Sequence, residues 1–90
     1  MSATLADLTI VVVTWHNAAD LPPLFASLAS ARAAGAELVV VDNASRDDTT
    51  AVVRTLVPDA TLIANTANRG FAAGANQGLA ASHRPFVLFL

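Results

Sequence analysis

Ninety residues make one small domain at most, able to bury about two-thirds of the surface its unfolded chain exposes. A net charge of -2, with five scattered arginines and no lysine, leaves no basic stripe and argues against nucleic-acid binding through phosphate neutralisation. The lack of cysteine excludes a disulfide framework and a cysteine-ligated zinc site. No positive charge precedes Arg32 and every apolar run is short, so neither a signal peptide nor a membrane span is supported, and a soluble, cytoplasmic chain is expected.

The first element is the β-branched run Thr9-Ile10-Val11-Val12-Val13-Thr14, which reads as a strand. A helix is predicted from Leu21 to Ala34. Asp20 stands at its N-cap, Pro22 and Pro23 lie in its first turn, and Gly35 stops it. Leu21, Leu24, Leu28 and Ala31 form its apolar stripe, with Phe25 beside it. Glu37 to Asp42 is the second strand. A second helix begins after Ser45, with Ser45 and Asp48 spaced as a capping box, with Val52, Val53 and Leu56 as its buried face, and with Pro58 as its stop. Ala60 to Ala64 is a weaker strand. A third helix runs from near Phe71 to about Ser82 with Leu79 as its apolar anchor, and Phe86 to Leu90 is the fourth strand. Continuous rather than alternating apolar runs suit strands covered on both faces. The order β-α-β-α-β-α-β predicts an open parallel α/β sheet in three layers, α/β/α, with right-handed crossovers.

Ligands of such sheets bind beyond the carboxyl ends of the strands. Three polar loops fall there: Thr14-Trp15-His16-Asn17, Asp42-Asn43-Ala44-Ser45, and the stretch from Asn68 to Gly78. Asp42 is placed either to accept a hydrogen bond from a ligand or to cap the following turn, with Asn43 and Ser45 helping. Trp15, the one tryptophan, is placed either to lie against a ring or to cover the core. No glycine occurs in the loop after the first strand and no G-K-[ST] occurs anywhere, which disfavours dinucleotide and Walker-type phosphate sites. His16 is a lone loop histidine. Asp47 and Asp48 open a helix, where carboxylates cap free N–H groups rather than hold a metal.

Together the three segments resemble the N-terminal half of family 2 glycosyltransferases, which have the GT-A fold. Ile10 to Asn17 is similar to V-V-x-[ST]-[YW]-x-N. Val39 to Thr49 is similar to V-V-D-N-x-S-x-D-x-T. Asn68 to Gly78 is similar to N-x-G-F-x-x-G-x-N-x-G, a form common in rhamnosyltransferase-like members. The resemblance implies that residues 1–90 are a partial domain, the nucleotide-binding half. It implies that Thr14 and Trp15 border a nucleobase and that Asn17 belongs to the same loop. Asp42 would accept from a pyrimidine imide, favouring UDP- or dTDP-sugar donors, while Asn43 and Ser45 shape its turn. Asn68, Arg69 and Gly70 would lie by the ribose-diphosphate, and Asn76 would point to the donor from the third helix. Gly74 and Gly78, one turn apart, are expected to let that helix pack closely on the sheet.

The family's acidic metal motif follows the fourth strand, where this sequence stops. A divalent cation, Mg or Mn, is therefore expected for the full-length enzyme, with its ligands outside these residues. The same holds for the catalytic base and for the half that binds a glycan or lipid acceptor, and the full-length enzyme could work at the membrane surface. The 90 residues alone are expected to transfer no sugar. The alternative is a non-catalytic nucleotide-binding module or degenerate fragment; a scaffold that binds a partner through its sheet edge is a third reading.

Overall fold

The computed structural model describes residues 3–90. Its strands are β1 (Leu8–Thr14), β2 (Glu37–Asp42), β3 (Thr61–Ala64) and β4 (Phe86–Phe89), and its helices are α1 (Leu21–Ala33), α2 (Thr49–Leu56) and α3 (Gly70–Ala81). All strand pairs are parallel, in the order β3-β2-β1-β4. The expected α/β alternation is thus present, and the direction of winding reverses after β3.

That reversal divides the core. Ile10, Val12, Leu38 and Val40 face one side with Leu21 and Phe25 of α1 and Val53 of α2. Val11, Val39 and Val41 face the other, where α3 packs on β1 and β2. Alternate residues of each central strand therefore feed different cores, which is why β1 and β2 are apolar throughout. A crossover that changes direction while keeping its hand must lie on the opposite face, as α3 does.

Several local expectations are met. Helix α1 ends in a Schellman motif: the Ala36 N–H reaches the Ala31 carbonyl and the Gly35 N–H reaches that of Arg32, with Gly35 at φ +106°. Leu24, Leu28 and Ala31 pack against the core beside Leu21 and Phe25.

Others are corrected. The Asp20 side chain makes no capping bond; the Asn17 carbonyl instead takes the N–H groups of Asp20 and Leu21. Ser45 and Asp48 form no capping box, because the Ser45 hydroxyl is drawn to Asp42, and Asp47 caps α2 through the Thr49 N–H at 3.0 Å and the Thr49 hydroxyl. Leu56 and Leu79 are about half exposed, and Val57 is buried in place of Leu56. The buried residues of α3 are Gly74 and Gly78. Added methyls there would lie 2.9 Å from Val13 Cγ1 and 2.2 Å from Val11 Cγ1. The helix anchors by close backbone approach, so Leu79 is not its contact. A short 3₁₀ turn, Leu5–Asp7, precedes β1, closed by the Thr4 N–H on Asp7 at 2.9 Å.

Candidate functional site

The carboxyl ends of β1, β2 and β3 carry the three predicted loops, and one open cleft of about 780 Å³ lies among them. Trp15 and His16 contribute from the first loop, Ala44, Ser45 and Arg46 from the second, and Asn65 to Asn68 from the third. Trp15 is 52% exposed, and its ring stacks on that of His16 at a centroid distance of 4.1 Å. It therefore forms a wall of the cleft rather than a cover on the core.

Asp42 organises the first two loops. It is 1% exposed and pairs in register with Thr14 on β1. Its Oδ1 accepts from the Thr14 hydroxyl at 2.8 Å and the Ser45 hydroxyl at 2.6 Å; its Oδ2 accepts from the Ser45 N–H at 2.9 Å. A carboxylate offers about four acceptor sites, so one remains, on Oδ2; Asp42 itself lies behind the cleft wall rather than in it. The Thr14 hydroxyl is spent on Asp42, and Thr14 is buried.

Ser45 passes this order on. Its Oγ accepts from the His16 N–H at 2.9 Å, and the Thr49 hydroxyl accepts from the Asn17 N–H at 3.0 Å. Asn17 Oδ1 accepts from the Trp15 N–H at 2.7 Å, so Asn17 shapes the loop that carries Trp15. His16 and Ala44 hold positive φ, 54° and 64°, and both line the cleft. Such backbone costs a non-glycine residue about 1–2 kcal/mol and persists where surrounding bonds enforce it.

The carboxylate of Asp47 lies below its usual range, chiefly through the Thr49 hydroxyl and further through the Thr49 and Ala18 N–H groups and the charge of His16, against an opposing effect of burial. Its role is at the start of α2.

The third loop hangs on Asn43, which is 3% exposed. Its Nδ2 donates to the Gly70 carbonyl at 3.1 Å, and its Oδ1 accepts from Asn65 Nδ2 at 3.1 Å and the Arg69 N–H at 3.5 Å. Gly70 has φ +83° with open space around its Cα, so its demand is for backbone conformation alone. The Asn68 side chain accepts from the Gly70 N–H at 2.8 Å and lines the cleft. Arg69 is exposed beside it. Asn76 is exposed on α3 and is not brought to the cleft wall.

Sequence reasoning missed Arg46, Asn65 and Gln77. Arg46 is the one arginine in the wall, which holds no lysine or carboxylate. Only the polar residue at the end of β3 hinted at Asn65. Among the described residues no group of three or more His, Cys, Asp or Glu could hold a metal ion, and the one buried carboxylate of the site is committed to Thr14 and Ser45. The residues present therefore do not fit a divalent cation. No helix of the described residues is long and apolar enough to cross a membrane.

A parallel α/β sheet with a loop-lined cleft at its carboxyl edge defines the open α/β class, whose ligands bind beyond the carboxyl ends of the strands. Within that class the chain belongs to glycosyl transferase family 2, whose family model matches residues 9–90. It is 34% identical to the succinoglycan biosynthesis protein ExoU of Rhizobium meliloti (strain 1021) over 91 residues, an alignment covering 97% of this chain and 26% of that protein. Its fold is that of a GT-A glycosyltransferase: it superposes with a TM-score of 0.69 on the mannosyltransferase PcManGT from Pyrobaculum calidifontis, solved with GDP-Man and Mn2+. That match has 29% identity and covers 92% of this chain and 26% of the other. The chain thus spans about a quarter of the length of these relatives.

Proposed function

We propose that this chain is the donor-binding part of a glycosyltransferase that passes a sugar from a UDP- or dTDP-sugar to a hydroxyl of a glycan or lipid, in the cytoplasm or at the membrane surface. The observation that carries the reading is a single cleft walled by all three loops after β1, β2 and β3, with an aromatic face on one side and Arg46 in the wall. A base lies against Trp15. The diphosphate lies toward Arg46, Arg69 and the turn at Gly70, where guanidinium groups suit phosphate oxygens. The remaining acceptor site of Asp42 Oδ2, buried behind the Ser45 turn, suits the imide N–H of uracil or thymine once the base displaces that cover. The glycine-rich third segment favours a rhamnosyltransferase-like member. Domain and donor assignments rest on the same cleft.

Donor binding and orientation are what these residues supply. The wall contains no carboxylate to deprotonate an acceptor hydroxyl. A divalent cation of the Mg or Mn type would supply charge neutralisation to a departing nucleoside diphosphate; no group of three or more His, Cys, Asp or Glu among the described residues would hold it.

Trp15 is the chain's single tryptophan and stands in the cleft wall, so its fluorescence reports on the site. Titration with UDP, dTDP and GDP tests the reading. Saturable change with UDP or dTDP, and none with GDP, is the expected result. Preference for GDP would move the donor to a guanine nucleotide, a choice favoured by the GDP-Man of the solved relative. No response to any nucleotide would leave a scaffold.

A further inference from the structure

The third loop has few attachments of its own. Residues 66–70 are all exposed. Apart from the Asn65 N–H on the Asp42 carbonyl at 2.9 Å, the hydrogen bonds that tie the segment to the sheet run through the side chain of Asn43. Whatever fixes Asn43 therefore fixes this wall of the cleft.

The polarity of the arrangement is set from the backbone outward. The Gly70 carbonyl requires a donor from Asn43 and the Arg69 N–H requires an acceptor, so the Asn43 carboxamide has one permitted orientation. Its Oδ1 then requires a donor from Asn65, and Nδ2 of Asn65 supplies it. With that amide oriented, Asn65 presents both Nδ2 and Oδ1 to Gln77 of α3. The two carboxamides close a ring of two bonds, Asn65 Nδ2 to Gln77 Oε1 and Gln77 Nε2 to Asn65 Oδ1, each 2.8 Å. Gln77 lies one residue from Gly78, where an added methyl would meet the sheet at 2.2 Å, so the far end of the chain of amides is mounted where the helix packs tightly on the sheet.

The geometry points to Gln77 as a positioning residue for the cleft, although it lines no part of it: through Asn65 and Asn43 it holds residues 66–70 in place for the diphosphate end of the donor. This rests on the donor-binding reading above. Removing Gln77 leaves Asn65 free to turn over, and Asn43 then loses the donor that keeps it aimed at Gly70.

Two readouts on Gln77→Leu test this. One is amide hydrogen exchange across residues 66–70, which needs no ligand. The other is the Kd for UDP and dTDP read from Trp15. Val53→Ala, on the opposite face of the sheet, serves as the control for simple destabilisation. Exchange at Arg69 and Gly70 should quicken about tenfold and Kd should rise about tenfold, the order expected from losing hydrogen bonds of this kind. Protection in β1 and β2 should persist, and Val53→Ala should move neither readout selectively. Unchanged exchange at Arg69 and Gly70, or an equal change in Val53→Ala, overturns the proposal. Faster exchange with unchanged Kd overturns its link to the donor. Should Gln77→Leu fail to fold, Gln77→Glu decides by the same readouts: it keeps the shape and the acceptor for Asn65 Nδ2 but sets an oxygen against Asn65 Oδ1. A wild-type chain that binds no nucleotide defeats the donor-binding reading, and the exchange result still upholds or overturns the brace.

Discussion

Gly78 sits so close to Val11 that a methyl group on it would lie 2.2 Å from Val11 Cγ1. Val11 is fully buried at the centre of the sheet and β-branched, so its side chain has nowhere to turn. Gly78→Ala should therefore destabilise the fold by about 1–3 kcal/mol through overpacking, even though alanine is the better helix former. Gly74→Ala, with a 2.9 Å approach to Val13, should cost less. Urea unfolding of both variants gives the ranking. Adding Val11→Ala to Gly78→Ala should recover part of the loss, and strict additivity of the two changes would show that they do not share the contact.

Asp42 carries a comparable burden at the carboxyl end of the neighbouring strand, β2. Asp42→Ala strands the buried Thr14 hydroxyl and frees the Ser45 loop. A loss of about 2–3 kcal/mol is expected, since bonds to a charged acceptor are among the costlier ones to remove. Asp42→Asn keeps the shape and should cost less while still weakening nucleotide binding. Unfolding midpoints and Trp15 titrations separate the two effects. Unchanged binding in Asp42→Asn would remove the imide contact from the reading.

The opposite end of the sheet predicts acid sensitivity. Burial pushes the Glu37 carboxyl up, but the His83 N–H, the Thr9 hydroxyl and the His83 ring outweigh it and hold the group below the usual glutamate range. Thr9 donates at 2.7 Å and the His83 N–H at 2.9 Å. A carboxylate with a depressed folded-state pKa binds fewer protons folded than unfolded. Its contribution is complete above the unfolded value of about 4.3 and fades as pH falls through the lower folded value. Asp59, held low first by its bond to Arg32, acts in the same direction from the surface. The urea midpoint should fall between about pH 5 and pH 3, and Glu37→Gln should flatten that slope. An equal slope in the variant would place the titration elsewhere.

Strand β4 is an edge of the described sheet, and Phe86, Leu88, Phe89 and Leu90 are each exposed by 40% or more. No charge interrupts this run. An apolar edge of this kind offers unpaired backbone groups to a second chain. The 90-residue chain should associate as concentration rises, and Leu88→Lys should reduce the effect. Size exclusion across a concentration series reads it directly; a single monomer peak throughout would count against it.

The order of elements, the parallel sheet and the edge on which the loops converge were all legible in the sequence, because they depend on local periodicity and on general rules of α/β connection. The close packing at Gly74 and Gly78 was legible too, since two glycines one turn apart in an alanine-rich helix signal a steric demand. The expected roles of Leu79 and Ser45 failed for one reason. Apolar spacing does not reveal that the glycine face excludes Leu79 from the contact, and a capping box does not reveal that a strand-end aspartate competes for the same serine.

What the sequence by itself determined is therefore the scaffold and the family to which it belongs. The tertiary structure alone decided how the polar residues divide between cleft and frame. Thr14 meets Asp42 across 28 positions, His16 meets Ser45 across 29, and Asn43 meets Gly70 across 27. A buried polar group must find a partner, and which partner it finds is fixed by strand register and helix placement rather than by its neighbours in the chain.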